Sequence, residues 1–443
     1  MAAAAGAPTV EQTVRVSTTG ADGDAARDTV DPSVAYNPDR GEYLVTWSAD
    51  GLASDDEFEI FAQRLGRHGQ RLGAPVRVSF TGIDGDAARD TFSPVVAYNP
   101  RSREYLVTWR SDGLATDEEY EVFAQRLSAR GDLLGGNFRV STTGTDGDAS
   151  RDAFPPSIAV DPYNGEYLIA WSADPLATDE DFEIFSQRVS ARGALLGPAT
   201  RVSFTGPEGD GARSARQAAV TFNPRSGEYL VAWVSDGLAT DDENEIFAQR
   251  LSATNVPRGG NFRVSTTGSD GDAARDAFPP SVSIDTHTGS YLVVWSADAL
   301  ATDDDFEIFA QRIDPRGRLL GGAVQVSTTG VDGDTTRQAR QANAAYDPRA
   351  RQYLITWLGD GLAVDDDNEV FAQRLGGDGR LRGASFRVST TGTDGDASRD
   401  ADGFPPGVVH NGQARQFLVV WTADALVTDD EFEVFAKAVP ARR

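Results

Sequence analysis

The chain has 443 residues, 40% of them hydrophobic, and no cysteine, which allows a sizeable core and excludes disulfides and cysteine metal sites. Its 41 Lys and Arg against 68 Asp and Glu leave a net charge of −27, a balance that repels nucleic acid and anionic membrane surfaces and attracts cations. No apolar run is long enough to span a bilayer, so neither nucleic-acid binding nor membrane insertion is expected.

The opening MAAAAGAPTV lacks the basic and long apolar regions of an intact secretory signal. Its small residues are those left behind a cleavage site, so a trimmed, exported chain is expected, with an ordinary cytoplasmic start as the alternative. Residues 1–9 read as a flexible tail. The stretch TVRVSTTG (13–20) that follows has strand character and returns in each later repeat.

The repeats are marked by Trp47, Trp109, Trp171, Trp233, Trp295, Trp357 and Trp421, spaced by 62 residues five times and then by 64. The two extra residues fall in RDADGFPPG (399–407). A fixed period of this length means one supersecondary unit repeated in tandem.

Within a unit, PSVAYN (32–37) predicts a first strand, and the Pro- and Gly-containing turn PDRGE ends it. YLVTW (43–47) predicts a second strand, apolar on both faces and therefore buried on both. An acidic loop follows, then EIFAQRL (59–65) as a third strand. A Gly-rich turn such as SARGDLLGGN (128–137) leads to FRVS (138–141) as the fourth. Seven four-stranded units in tandem predict an all-β, seven-bladed β-propeller over residues 10–443. The last unit lacks a fourth strand and residues 13–20 supply a spare one, so the N-terminal strand is expected to complete the last blade and hide two sheet edges.

The order of these pieces, an aromatic–aliphatic strand ending in Trp, an Asp/Gly-rich loop, I(F/Y)AQR, a Gly turn and FRVS, resembles a tandem-repeat β-propeller of bacterial secreted and cell-surface proteins. The resemblance covers the chain from about Val10. It implies an extracellular propeller, one module of a larger assembly beside calcium-binding or adhesive modules, and it implies no reaction.

In a propeller the loop between strands two and three shares a face with the loop leading to the next blade. Both are acidic here, so one face is expected to be strongly negative. Asp50, Asp55, Glu59 and Asp24 recur in all seven units, as does Arg27. Two explanations stand. Ser or Thr with a later acid makes a capping box, and the fixed arginine bridges fixed aspartates. Alternatively, the D-G-D turns hold calcium, which takes six to eight oxygen ligands. The candidate ligands are Asp22, Asp24, Asp84, Asp86, Asp146, Asp148, Asp210, Asp270, Asp272, Asp332, Asp334, Asp394 and Asp396.

Blades four and six break the pattern. Most units pair an apolar residue of the interblade loop (Val30, Phe92, Phe154, Phe278, Phe404) with an aromatic of the acidic loop (Phe58, Tyr120, Phe182, Phe306, Phe432). Arg216 with Asn244, and Arg340 with Asn368, replace that pair, which predicts that the two positions touch. The acid Asp28 of most blades becomes Ser214 and Gln338, and Gln217 and Gln341 follow the arginines. Arg216, Gln217, Asn244, Arg340, Gln341 and Asn368 are therefore candidates for contacting a ligand.

Catalysis needs one asymmetric constellation, whereas nearly every acid here occurs seven times. The three histidines, His68, His287 and His410, are far apart in sequence and unrelated in context. The expectation is a non-enzymatic extracellular propeller that binds a protein or glycan partner, with calcium on its acidic face. The alternative is a lectin-like or carbohydrate-active propeller.

Overall fold

The structure is a computed structural model. It describes residues 12–18, 28–50, 57–80, 90–112, 119–143, 152–174, 181–204, 214–236, 243–266, 276–298, 305–329, 337–360, 368–390, 400–401, 405–424 and 432–441. The described residues form seven four-stranded antiparallel sheets and no helix. Blade one comprises Thr29–Asn37, Glu42–Ala49, Glu59–Leu65 and Val76–Arg77, in that order from the inside out. The seventh sheet is completed by Val14–Arg15, which pairs antiparallel with Glu433–Pro440 in the register Val14 to Ala436 and Arg15 to Phe435. The spare strand seen in the sequence does close the ring.

The core lies between blades. Seven hydrophobic clusters each join two neighbours, and the last joins blade seven to blade one through Leu418, Val420 and Val434 against Tyr43, Val45 and Trp47. This is why the second strand is apolar on both faces: Leu44 faces the blade-two cluster while Tyr43, Val45 and Trp47 face blade seven. Each period-marking tryptophan is buried in this way. Full burial of so large a side chain contributes about 3 kcal/mol or more.

The AQR motif joins neighbours near the turns. Gln63 donates to the carbonyls of Arg64, Leu72 and Gly73, holding the Gly-rich turn against its strand. Arg64 pairs with Glu42 at 2.7 Å and donates to the Arg130 carbonyl of the next blade at 3.1 Å. Gly131 sits on that arginine with φ +84°, and a Cβ there would meet Arg64 Cδ at 3.2 Å. The left-handed backbone and the close approach both require glycine.

The blades are not equivalent. Blades two, four and six have seven-residue outer strands (Leu133–Arg139, Pro257–Arg263, Leu381–Arg387). In blades one, three and five, outer strands are two residues long (Val76–Arg77, Thr200–Arg201, Val324–Gln325). FRVS thus begins earlier than its sequence suggests in one class and contributes almost nothing in the other. The inner strands divide as well. Blades three, five and seven carry Pro155-Pro156, Pro279-Pro280 and Pro405-Pro406, and their inner strands are only Ser157–Val160, Ser281–Ile284 and Gly407–Asn411. Proline has no N–H for the ladder, so pairing starts after it. The other four inner strands continue through a bulge whose central residue (Asp31, Ser93, Gln217 or Gln341) has φ of 57–58°.

Candidate functional site

The invariant glutamate of the third strand is part of the framework. Glu59 is buried and accepts from Arg77 at 2.5 Å and from the Ser79 hydroxyl. Ser79 in turn accepts from Ile60 N at 2.7 Å. The same clamp recurs at Glu121, Glu183, Glu245 and Glu433. At Glu433 its partners are Arg15 and Ser17, so the ring-closing strand is locked by a charge-assisted bond as well as by its ladder. The arginine that meets this glutamate is therefore that of FRVS, which sequence reasoning treated only as strand. Of the Arg27 series expected to bridge the acids, Arg337 alone lies within the described residues.

The Asp28 series is a splint between blades. Asp90 accepts from Phe58 N at 3.0 Å, Asp152 from Tyr120 N at 2.9 Å, Asp276 from Asn244 N at 2.9 Å, Asp400 from Asn368 N at 3.0 Å and Asp28 from Phe432 N at 3.2 Å. Ser214 and Gln338 take its place at the junctions of blades three with four and five with six. At those same junctions Arg216 lies over Phe182 at 4.6 Å and Arg340 over Phe306 at 4.9 Å.

This corrects one expectation. The two loop positions touch where both are phenylalanine: Phe154 meets Phe182 edge-on at 4.8 Å, and Phe278 meets Phe306 at 4.9 Å. Where the pair is exchanged, the partners belong to different junctions. Arg216 reaches back to the ring of the preceding blade, while Asn244 binds forward to Asp276 through its backbone N–H and, at 3.3 Å, through its amide. Arg340 and Asn368 repeat the arrangement through Phe306 and the Asn368 backbone to Asp400. The arginine reaches the ring that the loop phenylalanine would otherwise share with its neighbour, so arginine and asparagine change together without touching as a pair.

The calcium candidates Asp22, Asp24, Asp84, Asp86, Asp146, Asp148, Asp210, Asp270, Asp272, Asp332, Asp334, Asp394 and Asp396 all lie outside the described residues. So do the Asp55 series and the Ser and Thr of the proposed capping boxes, whose later acids Glu57, Glu119, Asp181, Glu243 and Asp305 are described and buried. Among the described residues no group of three or more His, Asp or Glu is arranged to hold a metal ion.

Several departures from sevenfold repetition gather at the inner-strand bulges. Arg216 and Gln217 are exposed, Arg340 is exposed and Gln341 half-buried. Gln217 and Gln341 hold a left-handed backbone, which costs a non-glycine residue about 1–2 kcal/mol. In blades one and two the same conformation is supported locally, since Asp31 accepts from Ser93 N at 2.8 Å and from its hydroxyl at 3.0 Å. Burial pushes the Asp31 carboxyl up to about 6 against the lowering effect of Ser93. Arg110 replaces the small residue of most blades and lies over Tyr120 at 4.9 Å and Phe92 at 5.6 Å.

The turn side has one asymmetric feature that sequence reasoning missed. In six blades a tyrosine is the first or second residue of the second strand, and burial raises several of these phenols. The group it meets is the Asn or Asp ending the inner strand of the preceding blade; Tyr43, for example, accepts from Asn411 at 2.8 Å. Blade seven has Phe417 instead, and Asp347 is met by His410 Nε2 at 3.4 Å. Burial holds the His410 imidazole below its usual value, with Asp347 opposing. His410 and Tyr346 line a cavity of about 400 Å³ with Ser283, Thr286 and Val408. The signal was in the sequence: the one histidine at this position accompanies the one phenylalanine in the tyrosine series.

No family model matches the chain, and no curated protein sequence matches it. Its fold is similar to that of solved structures. One, from Dyadobacter fermentans DSM 18053 and of unknown function, is 10% identical over 97% of this chain and 99% of that chain, with a TM-score of 0.52. A polysaccharide lyase is 9% identical over 93% and 90%, with a TM-score of 0.55. An ulvan lyase bound to a glucuronic acid–sulfated rhamnose unit is 10% identical over 97% and 96%, with a TM-score of 0.54. At this identity the likeness carries the propeller architecture.

Proposed function

We propose that the chain is a non-catalytic binding propeller of the exported type, which holds a partner on the face bearing its interblade loops. One contrast supports this reading. The residues that repeat in nearly every blade, such as the Glu59 and Asp28 series, serve as clamps and splints, whereas Arg216, Gln217, Arg340 and Gln341, which differ from their counterparts in most blades, sit at the inner-strand bulges. Constancy serves the ring and variation serves recognition. The test is a panel of neutral and anionic polysaccharides scored for both retention in affinity gels and release of shorter chains. Retention without shortening is expected; progressive shortening of any polysaccharide would overturn the non-catalytic reading.

Calcium has a supporting role in this proposal, on the basis of the seven interblade turns, six of them D-G-D and one Glu208-Gly209-Asp210. Saturating calcium at a hundred times Kd is expected to add about 2.7 kcal/mol of stability per independent site, read as a higher melting temperature than in chelator. Equal melting at millimolar calcium would remove the metal from the proposal.

A carbohydrate-active propeller is the second reading, and Asp31 favours it. It is the acid of a single blade, buried, with its carboxyl pushed up to about 6, where a general acid is effective. If the polysaccharide panel reveals turnover, Asp31→Asn should abolish it; full activity in that variant would clear Asp31 of the role.

A further inference from the structure

Arg216 and Arg340 occupy equivalent positions two blades apart, at the start of long inner strands. Both are exposed, and neither makes an ion pair among the described residues. Each guanidinium is held by a phenyl ring, and that ring is fixed edge-on by a second one: Phe154–Phe182–Arg216 and Phe278–Phe306–Arg340. In a chain with 27 more acids than bases, an arginine would ordinarily be expected in a salt bridge. These two are instead oriented by stacking, which leaves their N–H groups for something else.

The neighbouring glutamines point the same way. Asp31 and Ser93 join the left-handed bulges of blades one and two by a mutual hydrogen bond, and Gln217 and Gln341 hold the same conformation in blades four and six, Gln217 with its N–H donated to Ser172 Oγ at 3.4 Å. Strain of this kind is retained where it positions a group. Each arginine thus presents a planar cation beside the edge of an aromatic cluster, and in blade four the exposed Gln217 adds an amide.

We propose that Arg216 and Arg340 anchor two equivalent subsites for the anionic groups of an acidic polysaccharide. This deepens the binding reading above and rests on it. The guanidinium fork matches a carboxylate or a sulfate, the exposed Gln217 amide matches ring hydroxyls, and the edges of Phe154 and Phe278 match the apolar face of a sugar. Charge selects the saccharide over an acidic peptide. A peptide with a carboxylate on each successive residue is repelled by the net charge of −27 at the closest spacing along its whole length, while a polysaccharide sets its anionic groups at least a whole sugar ring apart.

The test is titration calorimetry of the full chain with oligogalacturonate (carboxylate), a sulfated galactan oligomer (sulfate), a neutral galactan oligomer and poly-glutamate. It uses wild type, Arg216→Gln, Arg340→Gln and the double variant. Tighter binding of either acidic saccharide than of the neutral oligomer and poly-glutamate is expected. Each single variant should weaken it about tenfold and the double variant about a hundredfold, with the melting temperature unchanged because both side chains are exposed. Preference between carboxylate and sulfate then identifies the source of the anion. Equal affinity in wild type and the double variant, or poly-glutamate binding as tightly as the saccharides, would overturn the proposal. Binding of the neutral oligomer alone, unaffected by either substitution, would overturn it while leaving the binding reading intact.

Discussion

Blades two and five hold the same buried glutamate in different company. Glu121 accepts from Arg139 at 2.5 Å, from the Ser141 hydroxyl, and from the backbone N–H and hydroxyl of Thr143. Glu307 has the matching Ser327 and Thr329, but Gln325 stands where the arginine should be. Burial then raises the Glu307 carboxyl, with Ser327 and Thr329 opposing and Asp305 adding to the rise. A hydroxyl and N–H cradle is thus enough to keep the glutamate in place, and the arginine converts that cradle into a charged clamp. The sequence keeps the acid in all seven blades and relaxes its cation in one, which separates what the geometry requires from what the charge requires.

Copying blade five's arrangement into blade two should have the largest effect. Arg139→Gln leaves Glu121 buried beside its hydroxyls and should lower the unfolding free energy by about 2–3 kcal/mol at neutral pH. Urea denaturation measures it, and a loss below about 0.5 kcal/mol would mean that Ser141 and Thr143 hold the charge unaided. The reverse exchange, Gln325→Arg, should add about 1 kcal/mol by completing the clamp in blade five. No gain would show that the site has relaxed around Gln325.

The smallest effect concerns pH. Because the folded-state pKa of Glu307 is raised, its contribution to stability is fully present below the unfolded value of 4.5 and is lost as pH rises through the folded value. Glu307→Gln should remove that loss, so the variant gains on wild type as pH increases from 4 toward neutrality. Parallel melting curves across this range would contradict the assigned shift. The same substitution at Glu121 should destabilise, since it strips Arg139 of its partner.

Much of the ring was legible in the sequence. The tryptophan spacing set the number of blades, strand-forming runs punctuated by Pro and Gly turns set four strands per blade, and the displaced RVS at the start set the closure. The clamp was not legible because its members are 18 and 20 residues apart on adjacent strands, and arginine inside FRVS reads as an ordinary exposed strand position. The exchange in blades four and six was visible as a correlation, but its partners were misassigned. A correlation within one repeat does not reveal that one residue reaches backward and the other forward around a ring. The Asp347–His410 contact was missed for a related reason: it becomes visible only when a tyrosine-to-phenylalanine change in one blade is set beside a histidine a few residues earlier.

The division into long-stranded and short-stranded blades has a consequence for how such rings are assembled. Members that alternate around a circle need an even number, and this circle has seven. Two members of one kind must therefore adjoin somewhere, and blade one is where the rule gives way: its inner strand is long and bulged like that of blade two, while its outer strand is short like those of blades three and five. The natural unit of duplication is then a pair of blades. A ring enlarged by a copy of blades three and four would keep every junction in the company it has now, whereas a single added blade would create a second mismatched seam anywhere but beside blade one, where it would complete the alternation.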